Sequence, residues 1–235
     1  MSRHHAIAII PARFGSKRIP QKNIKEFLGK PIIAYSIETA KESNIFDRII
    51  VSTDSEKIAE IALNYGAEVP FLRPAELSGD FATTDNVLVH ALQWFAESGI
   101  SFEYACCLYP SAPLINKTYL LKGYKLLISE NATSAIPVCK YSYTIFRSLM
   151  IKDHKRLQML WPEYLTARSQ DLPETFHDIG QFYWVAVRKY LQVKRLLSDD
   201  TVPVILPNYM VQDIDTLDDW KKAEIIYKML HYRNA

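Results

Sequence analysis

Apolar runs and amphipathic stretches alternate along most of the chain. Residues 6–10 and Arg48–Ser52 are short apolar runs, typical of strands buried on both faces of a sheet. Residues 55–64 place their apolar side chains on one helical face and are followed by Gly66, which is typical of a helix end. The same patterns predict strands at 104–108, 134–138, 181–187 and 204–206, and helices at 32–41, 86–97, 118–128, 189–197 and 217–232. This alternation predicts an α/β fold with a mostly parallel sheet.

The alternation stops between residues 141 and 178. This stretch is rich in aromatic and basic side chains: Tyr141, Tyr143, Phe146, Arg147, Trp161, Tyr164 and Arg168. An isolated hairpin is only marginally stable in water, and a large exposed apolar patch usually marks an interface. We therefore predict one α/β domain, residues 1–140 and 179–235, with an inserted arm at 141–178 that forms a homodimer. The alternative is an arm folded back on its own sheet.

Composition narrows the classes of partner. The chain has 28 basic and 26 acidic residues and a net charge of +2, so we expect no nucleic-acid partner and no membrane surface. Cys106, Cys107 and Cys139 lie in apolar runs without disulfide or zinc spacing, and we expect buried thiols. No apolar run reaches the ~20 residues that cross a bilayer, and no signal peptide is recognised, so we expect a cytoplasmic protein.

A basic loop follows the first predicted strand. It carries Arg13, Lys17, Arg18 and Lys22, together with small residues that can expose backbone N–H groups. Ligands of open α/β sheets bind beyond the carboxyl ends of the strands, and a triphosphate needs several cations at close range. The loop therefore predicts a phosphate site, although neither GxxxxGK[ST] nor GxGxxG is present. The alternative is a solvated basic loop.

Two aspartates, Asp213 and Asp215, precede the last predicted helix. On an extended segment their side chains point to the same face, because side chains alternate with period two. Mg²⁺ is commonly held by one or two carboxylates together with substrate phosphates. The alternative is helix capping by Thr216 and Asp219, and both interpretations can hold together.

Six segments in order resemble one enzyme family. Residues 9–23 read IIPARFGSKRIPQKN, and the others are 50–54, 73–77, 80–84, 168–173 and 213–216. Together they resemble the CMP-sialic acid synthetase (acylneuraminate cytidylyltransferase) family over nearly the whole chain. The resemblance implies a Rossmann-like fold of the nucleotide-diphospho-sugar transferase type. It also implies an Mg²⁺-dependent reaction that joins CMP from CTP to an acidic nine-carbon sugar.

The resemblance also implies roles for individual residues. It assigns nucleotide binding to Ala12, Arg13, Gly15, Ser16, Lys17, Lys22, Asn23, Arg73 and Thr84. It assigns catalysis to Arg13, Lys22 and the aspartate pair, with Asp213 and Asp215 as the metal ligands. Arg168 would reach the neighbouring subunit's site from the arm.

Two segments resemble the pseudaminic acid subgroup of the family more than its sialic acid members. They are 109–114, where Tyr109 replaces the usual glutamine, and 177–184. The sugar would contact Tyr109, Arg168, His177, Gln181 and Tyr183. On a strand Gln181 and Tyr183 share one face, and we expect this pair to line the pocket. Sialic acid or another 2-keto sugar acid is the alternative substrate, and a non-catalytic nucleotide-sugar binding protein is the alternative class.

Overall fold

The computed structural model describes residues 2–231. The strands are β1 (Ser2–Pro11), β2 (Glu26–Phe27), β3 (Lys30–Pro31), β4 (Arg48–Ser52), β5 (Ile100–Leu108), β6 (Ser134–Lys140), β7 (Leu149–Lys152), β8 (Arg156–Met159), β9 (Phe176–Asp178), β10 (Phe182–Ala186) and β11 (Thr201–Leu206). The α-helices are α1 (Ile32–Ser43), α2 (Glu56–Asn64), α3 (Thr84–Glu97), α4 (Lys117–Ser129), α5 (Val187–Val193) and α6 (Leu217–His231). Short 3₁₀ turns include Lys22–Ile24 in the basic loop and Ala75–Leu77 before α3. The last residue of the predicted C-terminal helix, 232, lies outside the described residues.

Seven strands form the central sheet, in the order β11-β6-β10-β5-β1-β4, with β9 paired to one end of β6. Strands β11, β6, β5, β1 and β4 run in one direction, whereas β10 and β9 run against it. The prediction of an α/β fold with a mostly parallel sheet is therefore confirmed.

Both faces of the sheet are buried, as the apolar strand patterns predict. Phe182 and Trp184 of β10 join one core cluster, and Tyr183 and Val185 join the other, because successive side chains of a strand point to opposite faces. The three cysteines are free and buried, as expected. Within residues 2–231, no helix combines the length and the apolarity that a bilayer crossing requires.

Helix α5 and strand β9 are among the elements that differ from the sequence prediction. Helix α5 covers Val187–Val193 rather than 189–197, because Lys194 adopts a left-handed conformation (φ 52°) and its N–H bonds the Tyr190 carbonyl, which ends the helix. Strand β9 was not predicted, and it returns the chain to the central sheet before residue 178. Its backbone pairs with β6 although its side chains show no simple alternation.

Strands β7 and β8 form a separate antiparallel hairpin inside the predicted arm. Its apolar side chains face solvent within the single chain: Leu149 is 56%, Ile151 67% and Leu157 70% exposed. Phe146 packs against Trp161 and Tyr164 at the base of the hairpin. The arm thus has a small aromatic cluster of its own and leaves most of the hairpin uncovered.

Gly123 of α4 allows a close approach between helix and sheet. A methyl group at this position would lie 3.0 Å from Trp184, 3.1 Å from Phe182 and 3.2 Å from Val204. We expect Gly123→Ala to lower the free energy of unfolding by about 1–3 kcal/mol, because overpacking outweighs the better helix propensity of alanine. Urea denaturation measures the change, and Lys125→Ala on the exposed side of α4 is the control. Equal or higher stability of Gly123→Ala would contradict the expectation.

Candidate active site

A cavity of about 560 Å³ opens where β1 and β5 end. Its wall is built from the basic loop after β1, the segment that leads into α3, and the residues after β5. Most of the residues predicted from the sequence line it: Arg13, Gly15, Ser16, Lys17, Lys22, Asn23, Arg73, Thr84, Tyr109 and Asp215. Ala12 is buried beneath the loop, where its N–H bonds the Ser52 carbonyl at 2.9 Å.

The basic loop has a defined conformation. The Asn23 side-chain amide donates to the Arg13 carbonyl (2.8 Å), and the Phe14 N–H donates to the Asp54 carboxylate (2.8 Å). Gln21 takes a left-handed conformation (φ 51°) immediately before the 3₁₀ turn that begins at Lys22. These contacts fix where the cations of the loop enter the cavity.

Asp80 pairs with two of these cations. The Arg13 guanidinium contacts the Asp80 carboxylate at 3.0 Å and the Gly79 carbonyl at 3.1 Å, and the Lys17 ammonium contacts the same carboxylate. Lys17 above all, and then Arg13, hold the pKa of Asp80 below its usual value. A carboxylate therefore occupies the position between two cations where a phosphate could bind.

The aspartate pair lies on the other side of the loop. Arg18 contacts the Asp215 carboxylate at 2.7 Å, and the Lys22 ammonium donates to the Ile214 carbonyl at 2.6 Å. Burial raises the pKa of Asp213, and the neighbouring Asp215 raises it further. Burial lowers the pKa of Lys22, against the opposing fields of both aspartates. The chain thus brings two carboxylates and two cations together from segments far apart in sequence.

The donor chemistry of this pair fits Mg²⁺. Among the described residues, no three His, Cys, Asp or Glu side chains form a closed metal site. Mg²⁺ does not need one, since it often takes one or two carboxylates and completes its shell with water and substrate phosphates. Helix capping is also present, because Thr216 and Asp219 exchange backbone hydrogen bonds at 2.9 and 3.2 Å. Capping therefore does not compete with metal binding by Asp213 and Asp215.

Arg73 and Thr84 form the wall opposite the aspartates. Arg73 is only 5% exposed, and its Nε donates a long hydrogen bond of 3.4 Å to the Ser78 hydroxyl. A buried guanidinium that lines a cavity is well suited to bind a polar ligand, because buried polar groups need hydrogen-bond partners. The Thr84 hydroxyl lies 2.9 Å from the Tyr109 hydroxyl, which joins this wall to the residues after β5.

The predicted sugar residues separate into two groups. Tyr109 lines the cavity, whereas the lining residues of the described chain do not include Gln181 (1% exposed) or Tyr183 (3%). The Tyr183 ring packs on that of Tyr109 with centroids 5.2 Å apart, and its hydroxyl donates to the Asp178 carboxylate at 2.8 and 2.9 Å. Gln181 and Tyr183 thus support the cavity wall from behind, rather than facing the cavity as we expected.

The other two predicted sugar residues lie elsewhere in the single chain. His177 lines a second cavity of about 490 Å³ at the base of the arm, and its ring packs on Tyr141 at 4.8 Å. Arg168 is exposed and pairs with Asp171 through two hydrogen bonds of 2.7 and 3.1 Å. Neither is among the lining residues of the first cavity in the described part of the chain.

Sequence reasoning missed Asp80 and Asp178 as members of the site. Asp80 lies in one of the segments that resemble the family, and its position after Gly79 was the available signal. Asp178 lies three residues before the predicted strand at 181–187, so a rule that considers only residues after strands omits it.

Comparison with known proteins agrees with this geometry. A family model described as "Cytidylyltransferase" matches residues 7–164. The chain is 40% identical to a pseudaminic acid cytidylyltransferase of Campylobacter jejuni subsp. jejuni (serotype O:23/36, strain 81-176), covering 96% of this chain and 97% of the relative. It is 29% identical to a CMP-N,N'-diacetyllegionaminic acid synthase of Legionella pneumophila subsp. pneumophila, covering 95% and 96%.

A solved structure supports the fold. A CMP:2-keto-3-deoxy-manno-octonic acid synthetase complexed with CTP superposes with a TM-score of 0.71 at 14% identity, covering 97% of this chain and 100% of that one. At this identity the likeness concerns the fold alone. From the family match over residues 7–164 and the near full-length similarity to curated relatives, the chain belongs to the cytidylyltransferase family.

Proposed function

We propose that this protein joins CMP from CTP to pseudaminic acid and releases pyrophosphate. The observation that carries the proposal is that Asp215 lines the same cavity as the basic loop and pairs with Arg18 of that loop, and the cavity is large enough for a nucleotide. The near full-length similarity to a pseudaminic acid cytidylyltransferase supports the choice of both substrates. Arg13, Ser16, Lys17 and Lys22 bind the triphosphate in this proposal.

The remaining residues complete the nucleotide site and the metal site. Arg73, Thr84 and Asn23 lie around the nucleoside, while Asp213 and Asp215 hold Mg²⁺. When bound there, Mg²⁺ supplies positive charge that offsets the negative charge of the triphosphate. The chain's own side chains orient the phosphates and neutralise charge as it develops.

The reaction needs no protein nucleophile. The 2-hydroxyl oxygen of the sugar forms a bond to the α-phosphorus of CTP, the bond from that phosphorus to the bridging oxygen breaks, and pyrophosphate leaves with the electron pair. The hydroxyl proton passes to solvent. The enzyme therefore works by positioning two substrates and balancing charge, which the paired cations and carboxylates of the cavity are arranged to do.

The sugar can be identified by a direct assay. The purified protein is incubated with CTP, Mg²⁺ and either pseudaminic acid, N-acetylneuraminic acid or N,N'-diacetyllegionaminic acid, and pyrophosphate is measured. The proposal expects the highest kcat/KM with pseudaminic acid, in line with the aromatic Tyr109 in the cavity wall, on which Tyr183 packs from behind. A preference for another nine-carbon sugar would keep the cytidylyltransferase activity and overturn the choice of substrate. Binding without pyrophosphate release would favour a nucleotide-sugar binding protein.

We also expect a homodimer built through the arm. The exposed apolar hairpin of β7 and β8 supports this assembly, since closed two-fold dimers are the commonest way to cover such a surface. Light scattering should report about twice the chain mass of 27.1 kDa. Ile151→Asp combined with Leu157→Asp should yield monomers, whereas Leu63→Asp on α2 should not. A monomeric wild-type protein would overturn the dimer. A dimer that survives the hairpin substitutions would move the interface away from the arm.

Asp80→Asn is expected to strengthen CTP binding by about three- to tenfold, on the scale of losing two exposed ion pairs that compete with the ligand. In the free protein Asp80 neutralises Arg13 and Lys17, and the triphosphate must displace it. Isothermal titration with CTP measures the change. Glu76→Gln, an exposed change on the neighbouring turn, serves as the control. Weaker binding by Asp80→Asn would show that Asp80 orients the two cations instead of competing for them.

A further inference from the structure

Three extra residues interrupt the pairing of β6 with the strands beside it. Val138 pairs with Asp178 of β9, and Ala135 pairs with Trp184 of β10. Asp178 and Trp184 are six residues apart, whereas their partners on β6, Val138 and Ala135, are three residues apart. The three extra residues, 179–181, form a bulge. Bulges of this kind re-aim side chains and are frequent beside active sites. We call residues 179–181 the bulge.

The bulge contacts both the metal site and the cavity wall. Gly180 has a positive φ of 59°, and a methyl group built there would lie 3.6 Å from the Asp213 carboxylate and 3.7 Å from the Tyr109 ring. The Gln181 carbonyl accepts the Tyr109 N–H at 2.9 Å. The bulge therefore sets the spacing between Asp213 and Tyr109.

The Asp178 carboxylate holds the bulge from both ends. Its Oδ1 accepts the Gly180 N–H at 2.9 Å, inside the bulge, and both of its oxygens accept the Tyr183 hydroxyl, beyond the bulge. Hydrogen bonds to a charged group are about twice as strong as neutral ones. Tyr183 is buried against Tyr109, so its hydroxyl cannot turn to water when the carboxylate is lost.

We propose that Asp178 is a positioning residue for the sugar half of the reaction. It acts by fixing the bulge and the Tyr183 hydroxyl. Together they hold the Tyr109 ring in position and set how closely the bulge approaches Asp213. The inference rests on the proposed function and deepens it. A methyl group at Gly180 would lie 3.6 Å from Asp213 and 3.7 Å from the Tyr109 ring, whereas Arg13 and Lys17 of the basic loop pair with Asp80. The bulge therefore adjoins the proposed metal and sugar residues rather than these phosphate-binding cations.

The test compares Asp178→Asn, Tyr183→Phe and the double variant with wild type. Asparagine keeps the size of the side chain but removes its charge and replaces one acceptor with a donor. We expect Asp178→Asn to raise the KM for pseudaminic acid about 10- to 100-fold, the scale of one hydrogen bond to a charged group. The KM for CTP, and the Kd for CTP by titration calorimetry, stay within about twofold of wild type. The matched control is Asp199→Asn, an exposed carboxylate on the segment between α5 and β11 that is not among the lining residues of the cavity in the described chain.

The double variant separates the proposed route from other roles. If Asp178 acts through Tyr183, the double variant is no worse than the poorer single variant, because contacting residues that act as one unit are not additive. Full additivity would overturn that route. A wild-type sugar KM in Asp178→Asn would overturn the inference, as would a lowered melting temperature with equal losses for both substrates. If wild type releases no pyrophosphate with any sugar, the proposed function falls and the inference falls with it. If wild type turns over and only the variant result fails, the inference alone falls.

Discussion

Asp213→Asn and Asp215→Asn are each expected to reduce pyrophosphate release by about 10³-fold or more. A divalent metal ion contributes several kcal/mol to the stabilisation of charge in the transition state, and in the proposed site each substitution removes a charged ligand of that ion. The fold should persist, because asparagine is nearly isosteric and the start of α6 is capped by Thr216 together with Asp219 rather than by either of these residues. Steady-state assays over a range of Mg²⁺ concentrations measure the loss.

Asp218→Asn is the matched control for this prediction. It removes a carboxylate from the first turn of α6, where the side chain is 86% exposed and pairs only loosely with Lys221 at 3.9 Å. Its activity should equal that of wild type. Activity within about threefold of wild type in both Asp213→Asn and Asp215→Asn would remove the metal assignment. Partial recovery at high Mg²⁺ would support it, since a weakened site fills by mass action.

Lys22→Met and Arg13→Ala should each lower kcat by about 10²-fold or more, the scale of removing one preorganised donor at developing charge. Lys22 is anchored by the Ile214 carbonyl at 2.6 Å, so its ammonium is held in one place before the substrate arrives. Arg13 must first exchange Asp80 for phosphate. Activity assays on the two variants measure the effect.

Two other lysines serve as comparisons for these variants. Lys122→Ala removes an exposed lysine of α4 and should leave the rate unchanged. Lys17→Ala should cost less than Lys22→Met, because the Lys17 side chain is 82% exposed and that of Lys22 only 20%. Wild-type rates in both Lys22→Met and Arg13→Ala would mean that the loop is only a solvated basic surface.

Local patterns were enough to predict most of the fold. Arg48–Ser52 was predicted with the bounds that the structure shows, and the period of two correctly divided Phe182 and Trp184 from Tyr183. The rule about strand ends singled out the basic loop, and the loop lines the cavity at the end of β1. These features depend on the order of apolar and polar residues within short segments, so they can be predicted from a single sequence.

Other features depend on contacts between distant segments. Arg13 and Asp80 are 67 residues apart, and nothing in either segment alone indicates that they pair. The bulge arises from the register of two strands against β6, which no apolar pattern records. Gln181 and Tyr183 were expected in the pocket because they share one face of the strand. In the structure both lie behind Tyr109, since the Tyr183 ring packs on the Tyr109 ring and the Gln181 carbonyl accepts the Tyr109 N–H. His177 and Arg168 belong to the predicted arm, and neither is among the lining residues of the first cavity in the described part of the chain.

The position of β6 in the sheet has a consequence for biosynthesis. Its three partners, β9, β10 and β11, all follow it in sequence. A nascent chain that ends near residue 164, where the family match stops, therefore holds an apolar strand with both edges unpaired. Such edges pair readily with other chains, and the long-range closure that protects them is slow. The segment that the family model matches thus cannot complete the central sheet by itself, and the ribosome must release β10 before the centre of the sheet can close.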